Sequence, residues 1–337
     1  MKFLVKSIVL ALAMTGAASA AQAADYKPRI IRFGYGLAED SNQGRAVKFF
    51  ADDLAKRTGN KLKARGFASA SLGSDTQMQN ALIGGAQEMM VGSTATLVGI
   101  VKDFGVYDLP FLFNNEKEAD AVLDGPFGQK LAAKLQEKGL VGLVYWENGF
   151  RNLTNSVRPV TKLEDLEGMR VRVMQNDIFL DTFSNLGTNA MPMAFGEVFT
   201  ALETGTIDAQ ENPYVTIDTS QFFEVQEYLT ETRHAYTPFM VLFSKAIFDT
   251  YTAEEQQILR DCAIEGQAVQ RQVGRELSQQ SLERVQEAGM EFNQLEPAEM
   301  ERIREAVAAV YETHAETIGR DVVEAMQTAL DELRSGG

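Results

Sequence analysis

The sequence predicts an α/β fold of two lobes with a cleft between them, followed by long C-terminal helices. Three observations predict it. Residues 30–91 and 163–204 each alternate strand-like and helix-like segments, the rhythm of a mostly parallel sheet covered by helices. The chain has 337 residues, more than the roughly 250–300 at which a single core stops growing. Beyond residue 253 the apolar spacing is helical throughout.

The N-terminus comes first. Lys2 and Lys6 flank a short basic region, 7–14 is apolar, and Ala18-Ser19-Ala20 and Ala21-Gln22-Ala23 both fit a small-x-small cleavage pattern. This predicts a cleaved signal peptide over 1–23 and a periplasmic mature chain. The apolar run is far shorter than the about 20 residues a membrane span needs. No Cys stands near the cleavage site, so a lipid anchor is not expected.

In the first series, 30–36 reads as a strand and 43–58 as a helix with Val47, Phe50 and Leu54 on one face. Gly59-Asn60 ends that helix. Strand 62–67, helix 75–83 and strand 88–91 follow. Residues 116–137 read as one helix and 141–146 as a buried strand, with Asn148-Gly149 a break. The second series holds 163–166, strand 170–174, helix 177–186 and then 195–204. Glu211-Asn212-Pro213-Tyr214 reads as extended, because the residue before proline avoids the α region. Residues 240–243 resemble a strand returning to the first lobe. Two long amphipathic helices, 253–288 and 299–333, complete the chain, the second carrying Ile303, Val307, Val310, Ile318, Val322, Met326 and Leu330.

Composition excludes several function classes. The formal charge is −15; without Lys2 and Lys6 it is −17, from 30 cationic and 47 acidic side chains. Such a chain repels nucleic acid and anionic lipid. A site for an anion therefore needs locally placed Arg, within a screening distance of about 8 Å. Cys262 is the single cysteine, so no intrachain disulfide forms; it reads as a small core residue. His234 and His314 are the two histidines, far apart, so no metal-ligand spacing exists. No nucleophile elbow, phosphate loop or dinucleotide fingerprint appears. The expectation is binding without catalytic residues, metal or cofactor.

Two α/β lobes favour a ligand at their interface. In Arg170-Val171-Arg172-Val173-Met174 strand alternation puts both arginines on one face. An Arg at the carboxyl end of a parallel strand points into the crevice where such folds bind ligands, and its fork matches a carboxylate. An Arg paired with a surface carboxylate fits the same pattern.

Several motifs occur in order: Ser71-Leu72-Gly73, Asp108-Leu109-Pro110-Phe111, Tyr145-Trp146-Glu147-Asn148-Gly149-Phe150-Arg151, Leu166-Glu167-Gly168-Met169-Arg170-Val171-Arg172, Pro192-Met193-Ala194-Phe195-Gly196-Glu197, Asp208-Ala209-Gln210-Glu211-Asn212-Pro213 and Thr232-Arg233-His234. Together they resemble the DctP-type solute-binding subunit of tripartite ATP-independent periplasmic (TRAP) transporters, over nearly the whole mature chain. The resemblance implies a periplasmic-binding-protein-like fold: domain I over 24–149 plus about 237–276, and domain II over 150–236 plus about 277–337. It implies Arg172 as the carboxylate-binding residue, Arg151 as a second one, Phe195 as an aromatic wall and Asn212 as a polar contact. Glu211 and His234 would orient these groups, though His234 by itself also fits a core histidine. Asp40, Gln43, Asp75, Gln77 and Ser93 are first-domain candidates, each of which also fits a cap or turn. The family often has proline after the Arg-x-Arg-Val strand. Here Met174-Gln175-Asn176-Asp177 stands there, and Gln175 and Asn176 offer amides to a hydroxylated ligand.

The Tyr145–Gly149 and Ala235-Tyr236-Thr237-Pro238 stretches are most similar to the branch that binds sugar acids such as uronates, aldonates and diketogulonate. A short keto or hydroxy acid is the alternative. The implied partners are the small organic anion and the small and large TRAP membrane subunits, with uptake driven by an ion gradient and the binding protein a monomer. A periplasmic sensor for a signalling receptor would show the same binding half.

Overall fold

The computed structural model describes residues 26–335; the predicted signal peptide, 1–23, lies outside the described residues. The first lobe is built by β1 (Arg29–Tyr35), α1 (Asn42–Arg57), β2 (Leu62–Phe67), α2 (Asp75–Ile83) and β3 (Met89–Ser93). β1 pairs in parallel with both β2 and β3. Local chemistry sets the helix starts. Ser41 accepts the Gly44 N–H at the head of α1, and Ser74 and Gln77 form a reciprocal capping box on α2. The predicted face of α1 is buried: Phe50 meets Phe33 of β1 edge to face at 5.4 Å between ring centres.

The single helix expected over 116–137 is instead α3 (Glu116–Asp124) and α4 (Pro126–Ala133), followed by a 3-10 turn. Gly125 is extended at the junction, and Pro126, which has no N–H to give, begins a new helix rather than continuing the old one. Next comes β4 (Leu140–Asn155), which runs straight through the expected break. Asn148-Gly149 is a bulge in a continuous strand, with Gly149 at φ 116°.

The second lobe holds β5 (Arg170–Val173), α5 (Asp177–Asn185), β6 (Asn189–Pro192), α6 (Val198–Glu203), β7 (Ala209–Asn212) and α7 (Tyr214–Thr219). β5 pairs in parallel with β6 and β7. The strand expected over 240–243 is the end of the 17-residue β8 (Tyr228–Ser244). α8 (Lys245–Phe248), α9 (Ala253–Glu287) and β9 (Glu291–Gln294) follow. The helix expected over 299–333 is three: α10 (Pro297–Val307), α11 (Ala309–Ile318) and α12 (Arg320–Ser335). Gly319, at φ 110°, separates the last two.

All strands join one mixed sheet in the order β2-β1-β3-β8-β4-β7-β5-β6, with β9 beside β8. β4 and β8 are antiparallel along their length and belong to both lobes. Their pairing shifts at Gly142/Val144, Glu147/Gly149 and Arg151/Leu153, and such bulges bend the strands that carry them. The central ribbon is therefore the bent connection, or hinge, between the lobes.

Apolar residues form a cluster on each outer side, around Phe33, Trp146 and Val241 in the first lobe and around Val198, Ile217 and Phe222 in the second. A larger cluster runs from Met90 and Tyr107 to Val171 and Met326. α9 packs on α1 at one end and α7 at the other. It is pinned to the hinge by Gln270, which bonds the Glu147 N–H and carbonyl at 2.7 and 2.5 Å, and by Arg275, 2.7 Å from the Glu147 carboxylate. Cys262 is a buried free thiol within α9. Among the described residues, no helix is long and apolar enough to cross a membrane.

Candidate ligand-binding site

A cavity of about 40 Å³ lies where the lobes meet the hinge. The first lobe contributes Leu37 and Gln43 from the β1–α1 connection and the first turn of α1, Asp75 from the first residue of α2, and Ser93 from the end of β3. The second lobe contributes Met174, Phe195 and Asn212; the hinge strands contribute Asn148, Arg151 and Phe239. Phe195 packs against the apolar clusters of both lobes, so it closes one wall.

Arg151 stands on β4, directly across from Ala235 of β8. It is fully buried, and Glu211 of β7 binds it through Nε and Nη2, with Glu211 Oε1 2.7 Å from Nη2. Nη1 reaches Thr237 Oγ1 at 3.5 Å and takes no part in the Glu211 pair. Burial alone would raise the Glu211 carboxyl, but the Arg151 charge and the His234 and Arg151 hydrogen bonds hold it at about 2. His234 Nε2 lies 3.0 Å from Glu211 Oε2, and its Nδ1 lies 2.7 Å from Thr232 Oγ1. Glu211 and His234, expected near the arginine, form one hydrogen-bonded chain with it.

Asn212 follows Glu211 and faces the cavity. Its amide donates to Gln210 Oε1 at 2.6 Å, and Gln210 donates to Thr154 Oγ1 at 2.8 Å. On the opposite wall Asp75 Oδ2 accepts the Ser93 N–H at 2.9 Å. Burial pushes its carboxyl up to about 6, against that hydrogen bond and the Arg172 charge. Gln43 holds the Leu37 N–H at 3.1 Å and the Val91 carbonyl at 3.4 Å, so its amide is fixed toward the cavity.

Arg172 is 1% exposed and sits immediately behind Met174, with Nη1 3.7 Å from the Met174 sulfur. Nε and Nη2 donate to the Met193 carbonyl. It has no salt bridge among the described residues, and burial drives its pKa down to about 10. The surface ion pair that the strand pattern also allowed belongs to Arg170, whose Nη2 lies 2.5 Å from Asp208.

Five expectations need correction. Arg172 does not itself line the cavity in this conformation, because Met174 covers it. Asn176 is spent elsewhere: it caps α5 through the Phe179 N–H and donates to the Ala95 carbonyl and Asp108, so it ties the lobes together outside the cavity. Gln175 is exposed beside it. Gln77 is committed to the Ser74 capping box. Asp40 is exposed on a separate groove with Arg45 and Arg284. Sequence reasoning missed Leu37, Met174, Phe239 and the contact made by Asn148. Asn148-Gly149 carried a signal, but a bulge and a strand break share the same residues.

The family model for bacterial extracellular solute-binding protein, family 7 (DctP), matches residues 33–317. This chain belongs to that family. The DctP-family fold is evident in solved relatives. The sugar acid binding protein DctPAm of Advenella mimigardefordensis, solved with galactonate, is 48% identical, with a TM-score of 0.90 over 91% of this chain and 99% of that one. A TRAP periplasmic solute-binding protein from Bradyrhizobium, solved with galacturonate, is 32% identical, with a TM-score of 0.86 over 90% of this chain and 100% of that one. The 2,3-diketo-L-gulonate-binding periplasmic protein YiaO of Escherichia coli is 38% identical over 85% of this chain and 87% of its own. In this DctP-family member, Arg151, Glu211 and Arg172 stand on the successive strands β4, β7 and β5, beside the interlobe cavity.

Proposed function

We propose that this chain captures a sugar acid, an aldonate or uronate, and delivers it to the small and large membrane subunits of a TRAP transporter. One observation carries the reading: Arg172 is a buried guanidinium without a counter-ion, one side chain away from a cavity between two lobes. A ligand carboxylate supplies the missing charge once Met174 moves aside. The second guanidinium, Arg151, offers Nη1 beside it, and Asn212 adds an amide. The neutral polar groups of the first lobe then meet hydroxyls. The similarity to proteins solved with galactonate and galacturonate supports this ligand class.

Closure follows from differential affinity, since a ligand that touches both lobes does so only when they meet. The roles given to Arg172, Arg151, Phe195, Asn212, Gln43, Asp75 and Ser93 belong to this proposal. So do the domain bounds, the 1–23 signal peptide, the periplasmic location, the monomeric state and the absence of catalysis.

Thermal-shift and calorimetric screening against galactonate, galacturonate and lactate tests the reading. Binding raises the melting temperature by mass action. The sugar acids should stabilise the protein and lactate should not. A flat response to every carboxylate would sink the proposal.

A further inference from the structure

The charged groups at the cavity are few, and their sum limits what else the ligand can carry. Arg151 and Glu211 cancel each other. Arg172 is one cation awaiting one anion. On the first-lobe wall stands a carboxylate, Asp75, in no salt bridge among the described residues. Its place is built into the fold. A Cβ on Gly92 would fall 2.7 Å from Asp75 Oδ2, so only glycine lets the carboxylate in beside β3. The Ser93 N–H then fixes Oδ2, and Oδ1 keeps no hydrogen bond among the described residues.

Around Asp75 are Gly36 after β1, Gly92 and Ser93 of β3, and, from the second lobe, the charge of Arg172. No second cation faces it among the described residues. A ligand hydroxyl can donate to Oδ1. With Arg172 matched by the first ligand carboxylate, a second one there would set two anions against each other with no further cation to offset them, and like charges so placed cost several kcal/mol.

We propose that Asp75 is a charge gate: it accepts a ligand hydroxyl on the first-lobe wall and rejects a carboxylate there, so the chain selects acids with one carboxylate over diacids. The inference rests on the sugar-acid reading above and adds a residue and a rule to it. Because burial pushes the Asp75 carboxyl up to about 6, the gate should open in mild acid.

Galactonate, galacturonate and galactarate are a matched probe set, the last carrying a second carboxylate on the same carbon skeleton. At pH 8 the wild-type protein should bind one or both monoacids and bind galactarate on the order of a hundredfold more weakly. Asp75→Asn keeps the size and the Ser93 acceptor, and should shrink that ratio to less than about tenfold. Lowering the pH from 8 to 5.5 should narrow the ratio in the wild type and leave it flat in Asp75→Asn. An unchanged ratio in a variant with a cooperative melt overturns the gate, as does equal binding of all three acids by the wild type. If the variant does not fold, the wild-type pH series decides alone, and a flat series overturns the gate. If the wild type binds neither monoacid, the sugar-acid reading falls first, and the gate with it.

Discussion

Arg172 turns Nε and Nη2 onto a single oxygen, the Met193 carbonyl, at 3.0 and 2.7 Å. That oxygen satisfies donors but carries no charge. Twenty-one residues away in sequence, Arg151 holds a full carboxylate, Glu211, in the same buried region. The two arginines, on strands separated by β7, thus differ in one respect: one has its counter-ion and the other awaits it.

Arg172 should therefore be costly to the free protein and essential to binding. Arg172→Ala should abolish sugar-acid binding in calorimetry, a loss of about 2–5 kcal/mol, and Arg172→Lys should weaken it strongly because Lys lacks the fork. Arg172→Met should bind nothing yet melt higher than the wild type, since an uncompensated buried charge is gone. Near-wild-type affinity in Arg172→Ala would refute the placement.

Glu211 should behave in the opposite sense. Glu211→Gln leaves Arg151 buried without a partner and should destabilise the fold by about 3–5 kcal/mol in denaturant unfolding. The Glu211 carboxyl is held at about 2, below its usual 4.5. Its contribution is present above about pH 4.5 and is lost as the pH falls toward 2. The stability difference between wild type and Glu211→Gln should shrink over that window.

For Asp75 the sign reverses. Its folded value of about 6 lies above the usual 3.8, so folding takes up a proton between those values. The penalty is full above pH 6 and is relieved as the pH falls through 6 toward 3.8. Asp75→Asn should raise stability at pH 8 by on the order of 1 kcal/mol and lose that advantage near pH 4. An advantage independent of pH would contradict the burial of this carboxyl.

Asn176 and Asn212 were both binding candidates in the sequence but part in the structure. Asn176→Ala removes a helix cap and should cost about 1 kcal/mol of stability, with affinity changed by less than about tenfold. Asn212→Ala removes a cavity amide and should weaken binding more than it lowers the melting temperature. Paired melts and titrations of the two variants separate them.

The sequence by itself determined the local elements and the family. Leu62–Phe67 and Asp75–Ile83 lie where apolar spacing and turn residues place them, because strand and helix periods are written in neighbouring residues. The ordered motifs brought Arg172, Arg151, Phe195, Asn212, Glu211 and His234 into one neighbourhood.

Only the tertiary structure decided how those residues are used. That Asn148-Gly149 is a bulge depends on β8 pairing along β4, between residues some 85 to 90 positions apart in the chain. Whether an amide faces a ligand or caps a helix depends on what lies opposite it: Asn176 meets Asp108 and Ala95, whereas Asn212 meets a cavity. The charge state of the site was equally hidden, because Arg172 is without a counter-ion only once β7 has given Glu211 to Arg151. Electrostatic pairing is settled by distances across the fold, and spacing along the chain does not encode them.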